Sequence, residues 1–156
     1  MRQGSRSPPV SLRARALRYL SQREHSRLEL ARKLGPHASS DQQLEQVLEA
    51  LIAEGWLSDS RFTWSLVQRR VARYGMHRIE AELETHGLVL EAHQDLRAEL
   101  LASEEERAWS AWERRFGDKS PLALDAMRQR RFLMQRGFSS ETIRAVLLRA
   151  RARSRL

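Results

Sequence analysis

The sequence predicts an all-α fold of three tandem three-helix, helix-turn-helix-like repeats in an elongated, curved array. Three observations lead there. Apolar residues recur at helical spacing along most of the chain, and no segment sustains the two-residue alternation of a half-buried strand. Serines stand at capping distance before several apolar runs, and glycines close them. The strings "KLGPH", "THGLV" and "QRGFS" each end a second helix and lead into a third; their glycines, Gly35, Gly87 and Gly137, lie 52 and 50 residues apart. That is the spacing of stacked helical units, each too small to cover a core alone, so neighbouring units should pack on one another.

Residues 1–10, polar and carrying Gly4, Pro8 and Pro9, read as a flexible tail. The first repeat, residues 11–57, opens with the stripe Leu12, Ala16, Tyr19 and Leu20. Ser26 with Glu29 has capping-box spacing before Leu30, Ala31 and Leu34, and Ser40 with Gln43 precedes Leu44, Val47, Leu48, Leu51 and Ile52 until Gly55. In the second repeat, residues 58–102, Ser58 caps a helix bearing Phe62, Leu66, Val67 and Val71 that runs to Gly75; Met76, Ile79 and Leu83 follow, then a weaker helix marked by Leu96 and Leu100. In the third, residues 103–150, Glu104, Glu105 and Glu106 favour the N-terminus of a helix carrying Trp109, Trp112 and Phe116. Ser120 with Pro121 starts the next helix, and Ser140 opens one through Ile143, Val146 and Leu147. Residues 151–156 form a basic tail.

The formal net charge of +8, with an isoelectric point near 11.2, is the balance of a protein that meets nucleic acid or another acidic surface. Of the 28 basic residues two, Lys33 and Lys119, are lysines and 26 are arginines, whose planar forks suit phosphate and carboxylate. A GC-rich genome would produce the same arginine bias. The absence of cysteine excludes disulfides, thiol catalysis and Cys-ligated metals and fits a reducing compartment. With no secretory-type apolar segment and no membrane-length apolar window, the expectation is a cytoplasmic protein that does not engage membranes.

Catalysis finds little support. His25, His37, His77, His86 and His93 include no pair one helical turn apart with a Glu between, so surface or capping roles are expected and no metal or cofactor. Glu80 and Glu84 read as part of a solvated face, and Trp109 and Trp112 as core. The segment 121–136, turned at about 100° per residue, puts Leu122, Ala126 and Leu133 on one arc with Ala123, Met127 and Met134, the natural buried stripe, with Arg130 inside it. Leu124 and Phe132 fall opposite, beside Arg128, Arg131 and Gln135, while Arg136 sits where the helix dipole favours a cation. That side is either a packing face or a binding face. Arginines recur elsewhere, at Arg69, Arg70, Arg73 and Arg78 and at Arg144, Arg149, Arg151, Arg153 and Arg155, and if aligned they would track a phosphate backbone or an acidic groove. The candidate binding set is Arg69, Arg70, Arg73, Arg78, Arg128, Arg131, Arg144, Arg149 and Arg151. Three-helix units also admit a sequence-specific helix-turn-helix DNA-binding regulator.

Four stretches, "ALRYLSQREHSRLELARKL" at 16–34, "GWLSDSRF" at 55–62, "RYGMHRIEAELETHGL" at 73–88 and "RRFLMQRGFSSETI" at 130–143, make the chain resemble the RecX family from residue 12 to about residue 148. The resemblance implies three tandem three-helix repeats and a non-enzymatic function: binding RecA, above all its filament on single-stranded DNA, and suppressing ATP hydrolysis, strand exchange and stimulated cleavage of LexA in recombination and the SOS response. Some members of the family bind DNA themselves, and a monomer is expected. The family pattern falls on Asp59, Arg61, Phe62, Gly75, Ile79, Glu82, Leu83, Arg131, Phe132, Arg136, Gly137 and Phe138, several of them architectural: the glycines suit helix ends, and Phe62, Ile79 and Leu83 look buried. Thr63 and Trp64, and the weakly apolar "LEAHQDLRAEL", depart from it.

Overall fold

The computed structural model describes residues 8–118 and 125–153, which form eight α-helices and two single-turn 3-10 segments with no strand. The described residues divide into two compact units between Phe62 and Thr63.

The first unit contains α1 (Leu12–Gln22), α2 (Arg27–Leu34), α3 (Asp41–Ala53) and the first turn of α4 (Asp59–Arg70). Each of the first three helices begins at a serine whose hydroxyl accepts an otherwise orphaned backbone N–H: Ser11 from Ala14, Ser26 from Glu29 and Ser40 from Gln43, all at 3.1 Å. Their apolar faces meet in a core of Leu12, Ala16, Leu30, Leu34, Leu48, Leu51 and Leu57. Ile52, expected in that core, is 40% exposed, because Leu48 and Leu51 define the inward face of α3. His25 is also a correction: it is buried, with Nδ1 at 3.0 Å from the Arg23 carbonyl and Nε2 at 3.0 Å from Lys33 Nζ, and burial lowers its pKa.

The second unit contains the rest of α4 together with α5 (Met76–Glu84), α6 (Gln94–Phe116), α7 (Ala126–Gln135) and α8 (Ser140–Arg153). Two expected helices are one here. The weak helix of Leu96 and Leu100 and the tryptophan helix run together as α6, so Glu104, Glu105 and Glu106 lie mid-helix and not at a start. Both segments bury their apolar stripe in register, Leu96 and Leu100 at 2% exposure, and nothing between them breaks the helical ladder. Trp109 and Trp112 are core residues, stacked with ring centroids 4.9 Å apart, among Phe116, Leu133, Phe138, Ile143 and Val146.

The buried stripe of α7 differs from the expected one. Leu133 is buried, but Met127 and Met134 are 64% and 57% exposed and Arg130 is exposed too; Gln129 takes the inward position because its Oε1 accepts the Trp112 indole N–H at 2.7 Å. Phe132 is half-buried, edge-on to Phe116 at 5.4 Å. Asp125 caps α7 through the Met127 N–H, and the expected start at Ser120 and Pro121 lies outside the described residues, as do Leu122, Ala123 and Leu124. The cap of α8 is Ser139, which accepts the Thr142 N–H at 3.2 Å, not Ser140. The helix α4 ends at Arg70, short of Gly75, which is extended at φ −77° and ψ 172° and stands as the N-cap of α5.

Candidate functional site

Two glycine turns of the second unit dock on each other. The Gly75 N–H donates to the Arg136 carbonyl at 2.8 Å and the His77 N–H to the Gly137 carbonyl at 3.1 Å. A side chain at Gly75 would place Cβ 2.4 Å from the Gly137 oxygen, and Gly137, at φ +83°, is both left-handed and against Arg78. The joint is locked from α6. Glu104, 4% exposed, accepts the Met76 N–H at 2.9 Å and the Thr142 hydroxyl at 2.7 Å, so one carboxylate caps the start of α5 and ties it to the first turn of α8. Burial pushes its pKa up, but the hydrogen bonds from Met76, Thr142 and Ser139 outweigh this and hold it below the ordinary carboxylate value. Half-buried Arg107, one turn along α6, donates to the Val71 and Tyr74 carbonyls in the turn that follows α4.

This joint sets two arginine-bearing walls face to face. Arg73, Tyr74 and Arg78 come from the turn before α5 and its first residues; Phe132, Gln135 and Arg136 come from the end of α7; Arg114 and Arg115 project from the last turn of α6. Together they line two adjoining cavities of about 280 and 610 Å³, with no carboxylate among the described lining residues. The guanidinium groups are positioned by the protein itself. Arg78 lies 4.3 Å over the Tyr74 ring and donates to the Gln135 carbonyl at 3.1 Å; Arg136 lies 5.2 Å over Phe132 and 5.4 Å over Tyr74 and reaches the Arg73 carbonyl at 3.4 Å; Arg114 donates to the Ala72 carbonyl at 3.0 Å. Such a cleft attracts anions and repels cations.

Of the sequence-predicted arginines, Arg73 and Arg78 enter the cleft. Arg128 and Arg131 are exposed on α7, at helical spacing with the lining residue Gln135, and line neither cavity themselves. The rest lie elsewhere. Arg70 makes a two-pronged ion pair with Glu82 at 2.7 and 2.8 Å, Arg69 turns back onto the Ser65 carbonyl at 3.3 Å, and Arg149 pairs with Glu106 at 2.6 Å while covering Trp109 at 4.2 Å. Arg144 and Arg151 are exposed on α8 and do not line the cleft. Sequence reasoning missed Arg114 and Arg115 and gave Arg136 to the helix dipole. The adjacent pair in "WERRFG" was the available signal, but its direction depends on where α6 begins.

The motif residues of the first unit hold structure. Asp59 Oδ1 accepts the Arg27 N–H at 2.8 Å, and Arg61 pairs with Glu24 at 2.9 Å while donating to the Gly55 and Trp56 carbonyls at 2.8 and 3.2 Å. Phe62, Ile79, Leu83 and Phe138 are buried. Buried Thr63 and exposed Trp64 follow Phe62 on α4. Among the described residues no group of three or more His, Asp or Glu side chains is placed to hold a metal, and no helix is long and apolar enough to cross a membrane.

Fold and cleft define an all-helical protein with an arginine-lined cationic cleft. Relatives narrow the class. Residues 103–147 match the family description "RecX, third three-helix domain". Regulatory protein RecX of Herbaspirillum seropedicae is 53% identical over 137 residues, 88% of this chain and 89% of the relative, and that of Leptothrix cholodnii is 49% identical over 143 residues, 92% and 91%. The crystal structure of RecX from Lactobacillus salivarius shares the fold, with a TM-score of 0.70 at 19% identity over 88% of this chain and 93% of that one. The chain belongs to the RecX family, whose named relatives here are regulatory proteins.

Proposed function

We propose that this protein binds RecA and its filament on single-stranded DNA and restrains it, lowering ATP hydrolysis, strand exchange and LexA co-cleavage in the cytoplasm without chemistry of its own. Family membership supports the partner. The observation that carries the surface is the arginine cleft, whose described lining holds no carboxylate; in this reading Arg128 and Arg131, exposed on α7, extend it. In this reading a monomer acts through three repeats: α1 to α3; α4, α5 and the first half of α6; and the second half of α6 with α7 and α8. The cleft lies in the last two. Arg69, Arg144, Arg149 and Arg151 remain secondary contacts of the proposal.

The test is ATP hydrolysis by the cognate RecA on excess single-stranded DNA while this protein is titrated in. Inhibition below one protein per RecA supports capping or locking of the filament. Arg128→Glu with Arg131→Glu should weaken filament binding while the helical circular dichroism stays intact, and unchanged affinity would remove that face from the site. A strong preference for one duplex sequence over random duplex, with no effect on RecA, would indicate a sequence-specific DNA-binding regulator instead.

A further inference from the structure

We infer that the cleft between α5, α6 and α7 is a binding site for a short free polyphosphate, a soluble chain of phosphates with ionised ends, held through its phosphate oxygens alone. The inference goes beyond the RecA reading and stands or falls without it, because the ligand is a small molecule whose binding is read in the absence of RecA.

Size and enclosure come first. The two cavities, about 280 and 610 Å³, have Arg73, Arg115, Phe132 and Arg136 in common and so form one recess in the range of small-ligand sites. Its walls are strapped together. Arg78 crosses from the α5 side to donate to the Gln135 carbonyl of α7 at 3.1 Å, and Arg136 crosses the other way to the Arg73 carbonyl at 3.4 Å. A long polymer laid between the walls would have to part these straps, whereas a short chain with free ends fits beside them. Charge then sets the ligand class. Arg73, Arg78, Arg114, Arg115 and Arg136 bring five guanidinium groups to the recess, with no carboxylate among the described lining residues. Like charges held in a part-enclosed space are weakly screened, so the occupant must bring a concentrated counter-charge. A phosphate at a chain end carries about −1.5 to −2 at pH 7, so three linked phosphates with both ends free carry about −4 to −5, close to the charge of the arginines they would meet.

Donor geometry points to the same class. Arg78, Arg114 and Arg136 each give an N–H to a backbone carbonyl, which fixes the guanidinium plane and leaves further donors of each fork for a ligand; phosphate oxygens take such forks two at a time. The lining rings are already in use. Tyr74 lies under Arg78 at 4.3 Å and Arg136 at 5.4 Å, and Phe132 lies under Arg136 at 5.2 Å with its ring edge-on to Phe116. A ring face taken up by an arginine is closed to a nucleobase, so a nucleoside attached to the phosphate chain adds nothing to the grip.

The experiment is isothermal titration calorimetry of the full chain, without RecA or magnesium, against sodium tripolyphosphate, adenosine triphosphate, orthophosphate and citrate at matched ionic strength. Tripolyphosphate should bind at one site per chain with Kd below about 100 μM, and orthophosphate and citrate at least about tenfold more weakly. Adenosine triphosphate, with one chain end esterified, should bind no tighter than tripolyphosphate. The variant Arg73→Gln with Arg115→Gln removes two lining arginines and should lower tripolyphosphate affinity at least about tenfold, whereas Arg18→Gln with Arg32→Gln, exposed in the first unit, removes the same charge and should change it less than about twofold. The parent chain supplies a readout that needs no variant to fold: on adding tripolyphosphate the guanidinium NMR signals of Arg73, Arg78, Arg114, Arg115 and Arg136 should move, while those of Arg144 and Arg151, exposed on α8, stay in place. Weaker tripolyphosphate binding than that Kd, citrate binding as tightly, adenosine triphosphate tighter by tenfold, an equal loss in the Arg18 and Arg32 control, or equal movement of the α8 signals would each overturn the site. None of these outcomes touches the RecA reading, which its own hydrolysis assay decides. If the Arg73 and Arg115 variant loses tripolyphosphate but restrains RecA like the parent, the polyphosphate site stands and the RecA contact lies elsewhere.

Discussion

Replacing Glu104 with alanine removes one carboxylate that serves two helix starts at once. In the parent, this side chain, 4% exposed, accepts the Met76 N–H at 2.9 Å and the Thr142 hydroxyl at 2.7 Å, and Ser139 also bonds to it. A buried donor left without an acceptor costs about 1–3 kcal/mol, and two of them about 2–6 kcal/mol. The Ser139 and Thr142 hydroxyls already bond each other at 2.8 Å and can satisfy part of the loss, which sets the expectation for Glu104→Ala at about 3–4 kcal/mol. Against a typical total of about 5–15 kcal/mol that is severe. Glu104→Gln keeps the shape but turns an NH₂ toward a donor, for a loss of about 2 kcal/mol. Urea unfolding at pH 7, followed by fluorescence of the buried tryptophans Trp109 and Trp112, measures both. The acid limb gives a second check. Because the folded carboxyl lies below its ordinary value of 4.5, its stabilisation is complete above that pH and fades as pH falls through the lowered value, so the parent should lose stability there and Glu104→Gln should lack that share. A loss under about 1 kcal/mol for the alanine variant, or identical acid limbs for parent and glutamine variant, would refute this role of Glu104 at the two helix starts.

Gly75→Ala should be worse still, above about 4 kcal/mol, because the new Cβ meets backbone atoms of Gly137 and Phe138 at 2.4 to 2.5 Å that cannot yield without parting the two turns; a thermal melt within a few degrees of the parent would contradict this. In the first unit, burial pushes the Glu29 carboxyl up, but Arg23, His25 and Lys33 bring it down to about 2, so its stabilisation holds above the ordinary 4.5 and disappears as pH falls toward 2. Carboxyl-resolved NMR titration should find Glu29 titrating near that value, and a midpoint near 4.5 would show the Arg23 pair absent in solution. Arg70→Ala should lower stability by no more than about 1 kcal/mol, since both partners are part-exposed, with a urea midpoint as the measure.

The fold was legible wherever a local rule could act alone. Ser26 and Ser40 cap the helices assigned to them, Gly55, Gly87 and Gly137 take the left-handed conformation that ends a helix, and Phe62, Ile79 and Leu83 are buried. The misses share a cause in tertiary contact. Gln129 is drawn inward by the Trp112 N–H, and His25 by the Arg23 carbonyl and Lys33, so a hydrophobic count along one helix ranked Met127 and Met134 above the residue that is buried. The site was legible in kind but not in membership. Arg73 and Arg78 could be named from their positions around a glycine turn, whereas Arg114, Arg115 and Arg136 join them because the second turn lands on the first, a juxtaposition 62 residues long in sequence between Gly75 and Gly137.

The unbroken run of α6 has a consequence for how the second unit comes apart. Repeat proteins commonly unfold from their ends inward, each repeat melting by itself once its neighbour is gone. Here the same helix that buries Leu96 and Leu100 carries Glu104 in its middle and Trp109, Trp112 and Phe116 beyond, so a boundary drawn between repeats falls inside a rigid rod. Fraying of α8 would uncover Trp109, and through Glu104 would loosen the start of α5, so neither half has an intermediate to stop at. The described residues of the second unit, 63–118 and 125–153, should therefore exchange their slowest amides at one common rate, as a single cooperative block.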